Sequence, residues 1–360
     1  AYPHELRPPA FAANSIVWGV MGFGGPALAG ALLVLGSWRL IFLVQLPLTA
    51  LALAVGWRTL PDRSGPPKRV RVDLVGIALL SVLTLASLVG VSAVAERWWL
   101  AGGGLVITVA TASLYWRHAG RDDEPVLRRE HLTRSPLRWV HLTSGTVLIA
   151  GLAADNYLPL YVQTTRGRSE GFAAFSLVFL TVGWTVGSIV FSRWLSRRGE
   201  AAVIAMGATL APPVLVVVAL AIGLDWPLAV IFAAFALVGL SIGLVSTAGL
   251  TLLQAGSDPS EMGRVNAAHQ FVRTLCITYG VAIGGAILLA VVGRRVGDVS
   301  IVRDVLAGDD VEVGADAAAA IGDGLALTAV VASLVAAVCF VAARLLRRAV
   351  EREQTPAPES

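Results

Sequence analysis

Apolar residues come in ten runs, at 12–35, 39–57, 74–94, 98–116, 138–163, 172–195, 201–223, 226–252, 270–292 and 321–346, with polar and basic residues gathered between them. A helix needs about 20 mostly apolar residues to cross a bilayer's hydrocarbon core. The pattern therefore predicts an all-α, polytopic helical membrane protein with about ten transmembrane helices. The strict alternation of a transmembrane barrel strand is absent from the runs.

Charge refines this picture. Of the 28 Lys and Arg residues, twenty fall in one set of alternate loops together with both chain ends, and seven fall in the other set. The remaining one, Arg273, lies well inside a run. Basic residues stay on the cytoplasmic side of a membrane, so both ends are expected there. Composition agrees with a membrane protein: 56% of the residues are hydrophobic and 14% charged, against about 25% charged in soluble domains. The net charge of +4 is not a nucleic-acid footprint, because the basic residues sit in loops between spans. Cys276 and Cys339 both lie in apolar runs and read as small hydrophobes, with no disulfide framework or metal site. No cofactor is expected. The absence of a Walker loop argues against an ATP-driven pump, and the absence of H-E-x-x-H, G-x-S-x-G or Cys/His clusters argues against an enzyme.

One stretch is more specific. Gly22, Pro26 and Gly30 fall four apart on one face of the first run. Gly25-Pro26-Ala27-Leu28-Ala29-Gly30 is followed by Trp38-Arg39-Leu40-Ile41-Phe42-Leu43-Val44-Gln45-Leu46-Pro47. This combination resembles the fifth and sixth helices of major facilitator superfamily transporters, in their fourteen-helix drug:proton antiporter branch. There the fifth helix carries G-x-x-x-G-P-x-x-G-G and a W-R-x-x-F-x-x-N-x-P run follows. Gly25, Pro26 and Gly30 match; Met21 stands at the first Gly, Ala29 at the penultimate Gly and Gln45 at the Asn. The resemblance implies that the chain enters the fold just before its fifth helix. Four helices, and the loop motif G-x-x-x-D-R-x-G-R-R, would then precede Ala1, and the sequence is read as a fragment or a mis-started gene model.

Under this resemblance residues 1–57 hold the last two helices of the N-terminal bundle. Residues 58–73 are a Pro-rich basic cytoplasmic linker, and 74–116 two additional central helices. A charged cytoplasmic loop follows at 117–137, then a C-terminal six-helix bundle at 138–348 and a disordered tail at 349–360. Phe191–Gly199 resembles a worn copy of the loop motif without its acidic position. Residues 293–320 are expected as one long outward loop without a core, mobile rather than functional.

Charges inside spans are costly and tend to line cavities or pair with one another. Asp155 is the proton-coupling candidate: a carboxylate that takes up and releases a proton as substrate moves. An interfacial Asp hydrated at a funnel mouth is the other reading. Asn156, Tyr157, Trp184 and Arg273 are the substrate-cavity candidates. Trp184 offers an aromatic wall, or else faces lipid. Arg273 snorkels to the interface or serves in anion binding and gating. His141 and His269 are expected near the interface, and Asp323 as a partner of a helix N-terminus. Gly183/Gly187, Gly239/Gly243 and Gly280/Gly284 read as close-packing pairs. Pro212-Pro213 should break or kink its helix.

The resemblance implies a plasma-membrane exporter of small, lipophilic or drug-like molecules. It would be driven by protons, working by alternating access as a monomer, with Gly22, Gly25, Pro26, Ala29 and Gly30 sealing two helices together. Its partners would be the substrate, protons and lipid. A transporter of a polar metabolite, or a transport-inactive fragment or membrane module, are the alternatives.

Overall fold

A bilayer offers no partner to a free backbone group, so each apolar run must satisfy its own N–H and C=O groups as a helix. In the computed structural model, residues 39–59, 72–94, 97–122, 124–258, 261–297, 299–307 and 313–354 are described, with the backbone alone over 192–197. Val17, Met21, Gly24, Gly25, Leu28, Leu32 and Ser37 are described as well. Among these residues there is no strand, and nine helical stretches are long and apolar enough to cross a membrane. The expected span at 12–35 and the linker at 58–73 fall largely outside the described residues.

Helices α1 (Arg39–Leu43) and α2 (Gln45–Thr59) form one stretch with no buried residue. Helices α3 (Leu74–Ala93) and α4 (Trp98–His118) pack as a hairpin. Their backbones meet where Gly90 lies against Gly104, so close that a Cβ on Gly104 would stand 2.7 Å from the Gly90 Cα. Asp73 caps α3, accepting 2.7 Å from the Gly76 N–H. The same carboxylate reaches His118 Nε2 at the end of α4, at 2.7 Å, and accepts from the Val126 N–H at 3.2 Å.

The remaining helices build a bundle. After the short α5 (Arg129–Thr133), one span is split into α6 (Leu137–Asp155) and α7 (Leu158–Thr164). A second consists of α8 (Glu170–Phe175) and α9 (Leu177–Arg198). Then come α10 (Glu200–Gly223), α11 (Leu228–Ala255) and α12 (Met262–Val296). The short α13 (Ser300–Ala307) and the long α14 (Ala315–Gln354) complete the chain. Helix α6 packs on α11, α12 and α14; α9 runs along α11; α10 packs on α11 and α14; and α3 reaches α12. The core is aliphatic and tight, with Leu148, Leu215, Ile242 and Leu253 wholly buried.

The glycine pairs are packing contacts. Gly183 lies against the Ala236 carbonyl, Gly239 against that of Leu180 and Gly243 against that of Trp184, holding α9 and α11 together. Gly280 and Gly284 bring α12 onto the Ile149 and Ala153 carbonyls of α6. Both contacts rise in number together along the two chains, so each helix pair is parallel.

Four expectations need correction. The stretch 293–320 is not coreless: α13 turns Val302 into a cluster with Leu160, Leu288, Val292 and Ile321. Composition hid this, because only a few apolar residues at helical spacing are needed to seat a short helix. Helix α14 starts at Ala315, so Asp323 lies two turns inside it and pairs with Arg295 of α12 instead of capping a terminus. The tail expected to be disordered from 349 continues α14 as far as Gln354, while 355–360 lie outside the described residues. Of the break or kink expected at Pro212-Pro213, the break does not occur: α10 runs on through both prolines. The two prolines deprive the Ala208 and Thr209 carbonyls of their usual donors, yet neighbouring helices hold the segment helical.

Candidate functional site

The break between α6 and α7 has a local cause. Pro159 has no N–H to offer the Asp155 carbonyl four residues before it, so α6 ends there. The Asn156 N–H bonds the Ala154 carbonyl instead of continuing the ladder, and the Tyr157 N–H bonds the same carbonyl at 3.2 Å. The Asn156 side chain makes good the loss, its Nδ2 donating to the Leu152 carbonyl at 2.9 Å. A discontinuous span with freed backbone groups is tolerated in a membrane where it is buried in protein or lines a cavity.

Asp155 sits at this break, 5% exposed, and its Oδ1 is buried without a hydrogen-bond partner. Gly151, one turn earlier on the same face, lies against Val238 and Ile242 of α11, so the carboxylate points into the bundle. Asn156 is exposed on the other side of the turn. Tyr157 turns toward α12, its hydroxyl donating to the Val281 carbonyl at 3.0 Å and resting on Gly285. On the far side of the break α7 is tied to α14, where Thr165 Oγ1 donates to the Ala318 carbonyl at 2.8 Å.

Trp184 and Arg273 come together at a second level. Both are half-buried, and the Arg273 guanidinium lies 5.2 Å from the Trp184 ring centroid, a cation–π contact joining α9 to α12. Its Nε has no hydrogen-bond partner. Since Gly284 faces Ala153, Arg273 stands about 13 residues of helix, roughly 20 Å, from the level of Asp155. The candidate residues thus divide into two groups: Asp155, Asn156 and Tyr157 at the break, Trp184 and Arg273 nearer the Arg-rich end.

One turn before Arg273 is a pair that the sequence placed at the interface. His141 and His269 are instead buried and in contact, with Nδ1 atoms 3.3 Å apart. His141 Nε2 is 3.0 Å from the His131 carbonyl and must donate to it. Its neutral Nδ1 is then an acceptor, which makes His269 Nδ1 the donor. The two residues are 128 positions apart, and no local signal in either run announces the pair. Beside it, Arg128 bonds Glu261 at 2.9 Å and Arg264 bonds Glu124 at 3.1 Å, clamping the charged loop onto the start of α12. Burial pushes the His131 imidazole below its ordinary range, opposed by Glu261 and reinforced by Arg128.

Of the small-residue helix, Gly25 is helical and exposed, with no atom within 4 Å of the place a Cβ would take. Gly22, Pro26, Ala29 and Gly30 lie outside the described residues. A set that could hold a cation is Asp73, His118 and Asp122, whose ligand atoms lie within 4.8 Å of one another. Burial works against the Asp73 carboxylate, but bonds from Gly76, His118 and Val126 outweigh it and hold the group below the usual carboxylate range. Its oxygens are already engaged, so the set acts as a clasp between α3, α4 and the loop that follows.

Nine apolar helices among the described residues, a bundle of parallel-paired spans and a carboxylate buried at a broken helix define a multi-pass α-helical membrane protein. The chain belongs to the Major Facilitator Superfamily, whose family model matches residues 1–281. That family is one of transporters, not enzymes. A probable multidrug-efflux transporter of Mycobacterium tuberculosis is 28% identical over 317 residues, covering 82% of this chain and 64% of that protein. A probable actinorhodin transporter of Streptomyces coelicolor is 28% identical over 321 residues, covering 82% of this chain and 53% of its own length. The chain thus spans between about half and two thirds of these relatives. Among solved structures, a bacterial homolog of the human lysosomal transporter Spinster, inward-facing and occupied, is 16% identical with a TM-score of 0.47, covering 78% of this chain and 69% of that one.

Proposed function

We propose that the protein exports small, lipophilic molecules across the plasma membrane in exchange for protons, by alternating access. The division into N-terminal helices, a basic linker, two central helices and a C-terminal six-helix bundle belongs to this reading, as do cytoplasmic chain ends. The observation that carries it is Asp155, buried at the break of the α6–α7 span with Oδ1 unpartnered. A charge sealed there without a partner is costly. In the closed state the group holds its proton; when the break opens to water, the charged form is solvated and the proton leaves. The freed backbone around Asn156 and Tyr157 is the hinge for that opening, and Trp184 with Arg273 forms a wall of the substrate path. The multidrug efflux in the name of the Mycobacterium relative supports the direction and a drug-like cargo.

The test uses the protein expressed from its complete reading frame, in inside-out vesicles that hold a proton gradient and a pH-sensitive dye. Adding a panel of lipophilic cations and neutral drugs is expected to release protons from wild type. Asp155→Asn, which keeps the shape and removes the titration, is expected to abolish that release while the protein still folds. Release that survives the substitution moves the proton site elsewhere. Silence across the panel, with a polar metabolite driving release instead, overturns the drug-export reading.

A further inference from the structure

Helices α10 and α14 lie side by side on a flank of the bundle that no other helix of the described chain covers. Their outward residues are apolar. On α14 the exposed positions are Leu327, Val330, Leu334, Val338 and Val341, and on α10 they include Val216 and Leu220. Spacings of three and four put each set on one helix face. In a membrane-spanning bundle such a face meets acyl chains.

Toward the Arg-rich end an open surface groove of about 810 Å³ is lined by both helices. Its trough is mostly apolar, formed by Ala202, Ala205, Met206, Leu210 and Pro213 of α10 with one hydroxyl, that of Thr209. Its mouth is cationic: Arg198 enters from the end of α9, and Arg344, Arg347 and Arg348 from the last turns of α14, against Glu351 alone. Glu351 is engaged by Arg347 at 2.8 Å. The Arg344 guanidinium lies 4.7 Å from the Phe340 ring, and Arg198 Nη1 lies 3.5 Å from Met206 Sδ, so both long side chains lie along apolar surface while their charges stay near the mouth.

Basic residues in the last turns of α14 also suit its carbonyl end. That accounts for their position along the helix. It does not account for Arg198 arriving from another helix to share the same mouth, nor for the trough beneath it. An apolar trough that runs onto a lipid-facing stripe and ends in four guanidinium groups has the chemistry of a phosphate head on a hydrocarbon tail.

We propose that this groove binds one anionic glycerophospholipid, its phosphate held among Arg198, Arg344, Arg347 and Arg348 and an acyl chain laid along Ala202, Ala205 and Pro213. The inference rests only on the protein spanning a membrane and stands apart from the transport reading. A zwitterionic lipid carries an ammonium group that the same arginines repel, so the groove distinguishes the two headgroups.

The experiment is native mass spectrometry of the detergent-purified protein with dioleoyl phosphatidylglycerol and dioleoyl phosphatidylcholine at equal concentration. Wild type is expected to retain phosphatidylglycerol preferentially. Each arginine lost near an anionic headgroup is worth roughly fivefold in affinity, so Arg344→Gln, Arg347→Gln and Arg348→Gln together should cut retention by tenfold or more. Ala205→Phe fills the trough without altering charge and should also lower it. Arg117→Gln with Arg121→Gln, at exposed basic positions elsewhere, should not. Melting curves without lipid check that each variant folds. Equal retention of the two lipids by wild type overturns the proposal, as does an Ala205→Phe variant that binds phosphatidylglycerol normally. Displacement of the lipid by millimolar inorganic phosphate would make the groove a soluble-anion site and overturn it too.

Discussion

At the scale of single residues, Asp73 shows how one carboxylate holds three pieces of chain. It accepts from the Gly76 N–H, meets His118 at 2.7 Å and accepts from the Val126 N–H. Replacing it with Ala removes an N-cap and two further bonds, a loss of about 1–2 kcal/mol. Its proton affinity is lower folded than free, below the ordinary value of 3.8. The contribution is therefore present above that value and disappears as pH falls through the depressed native one. Thermal unfolding of wild type and Asp73→Ala should differ at about pH 5, and the gap should narrow as pH falls below about 4. A gap that EDTA closes at neutral pH would make the cluster a metal site instead of a clasp. Asp155, by contrast, was legible from the sequence, since a lone carboxylate in an apolar run is conspicuous. His141 and His269 were not: each stands near the end of a run, and only the register of α12 on α6 buries them together.

That register belongs to the helices. Gly280 and Gly284 meet the Ile149 and Ala153 carbonyls, and Gly183 and Gly239 interlock α9 with α11. The spacing of these glycines marked them as close-packing contacts, because close backbone approach in lipid depends on small residues. What spacing could not give was which glycine faces which helix. Adding a side chain at Gly239 or Gly284 puts its first carbon onto a backbone carbonyl, which cannot move aside as a flexible side chain can. Gly239→Leu and Gly284→Leu are each expected to cost about 1–3 kcal/mol or more, read as a lower melting temperature and a loss of monodisperse protein on size exclusion. Gly171→Leu, where no atom lies within 4 Å of the added carbon, should leave both unchanged. The short α13 was missed for the converse reason. Its segment is rich in Gly, Asp and Ala, and Val302 is buried only because α7, α12 and α14 end around it.

For the molecule as a whole, the arginines that clamp the charged loop onto α12 and those that rim the α10–α14 groove belong to the same side, the one carrying twenty of the 28 basic residues. Two of the seven on the other side, Arg166 beside Asp225 and Arg295 beside Asp323, are paired with acids. An asymmetry of this size orients helical membrane proteins with the basic side in the cytoplasm. Thr133 and Glu170 are both exposed and stand at opposite ends of the α6–α7 span, so one cysteine at each reports the topology. In a Cys276→Ala, Cys339→Ala background, a membrane-impermeant maleimide applied to intact cells should label Glu170→Cys and leave Thr133→Cys untouched until the membrane is opened. The reverse pattern would turn the molecule over and put the charged loop and the groove outside. That outcome would remove the cytoplasmic chain ends on which the export reading is built.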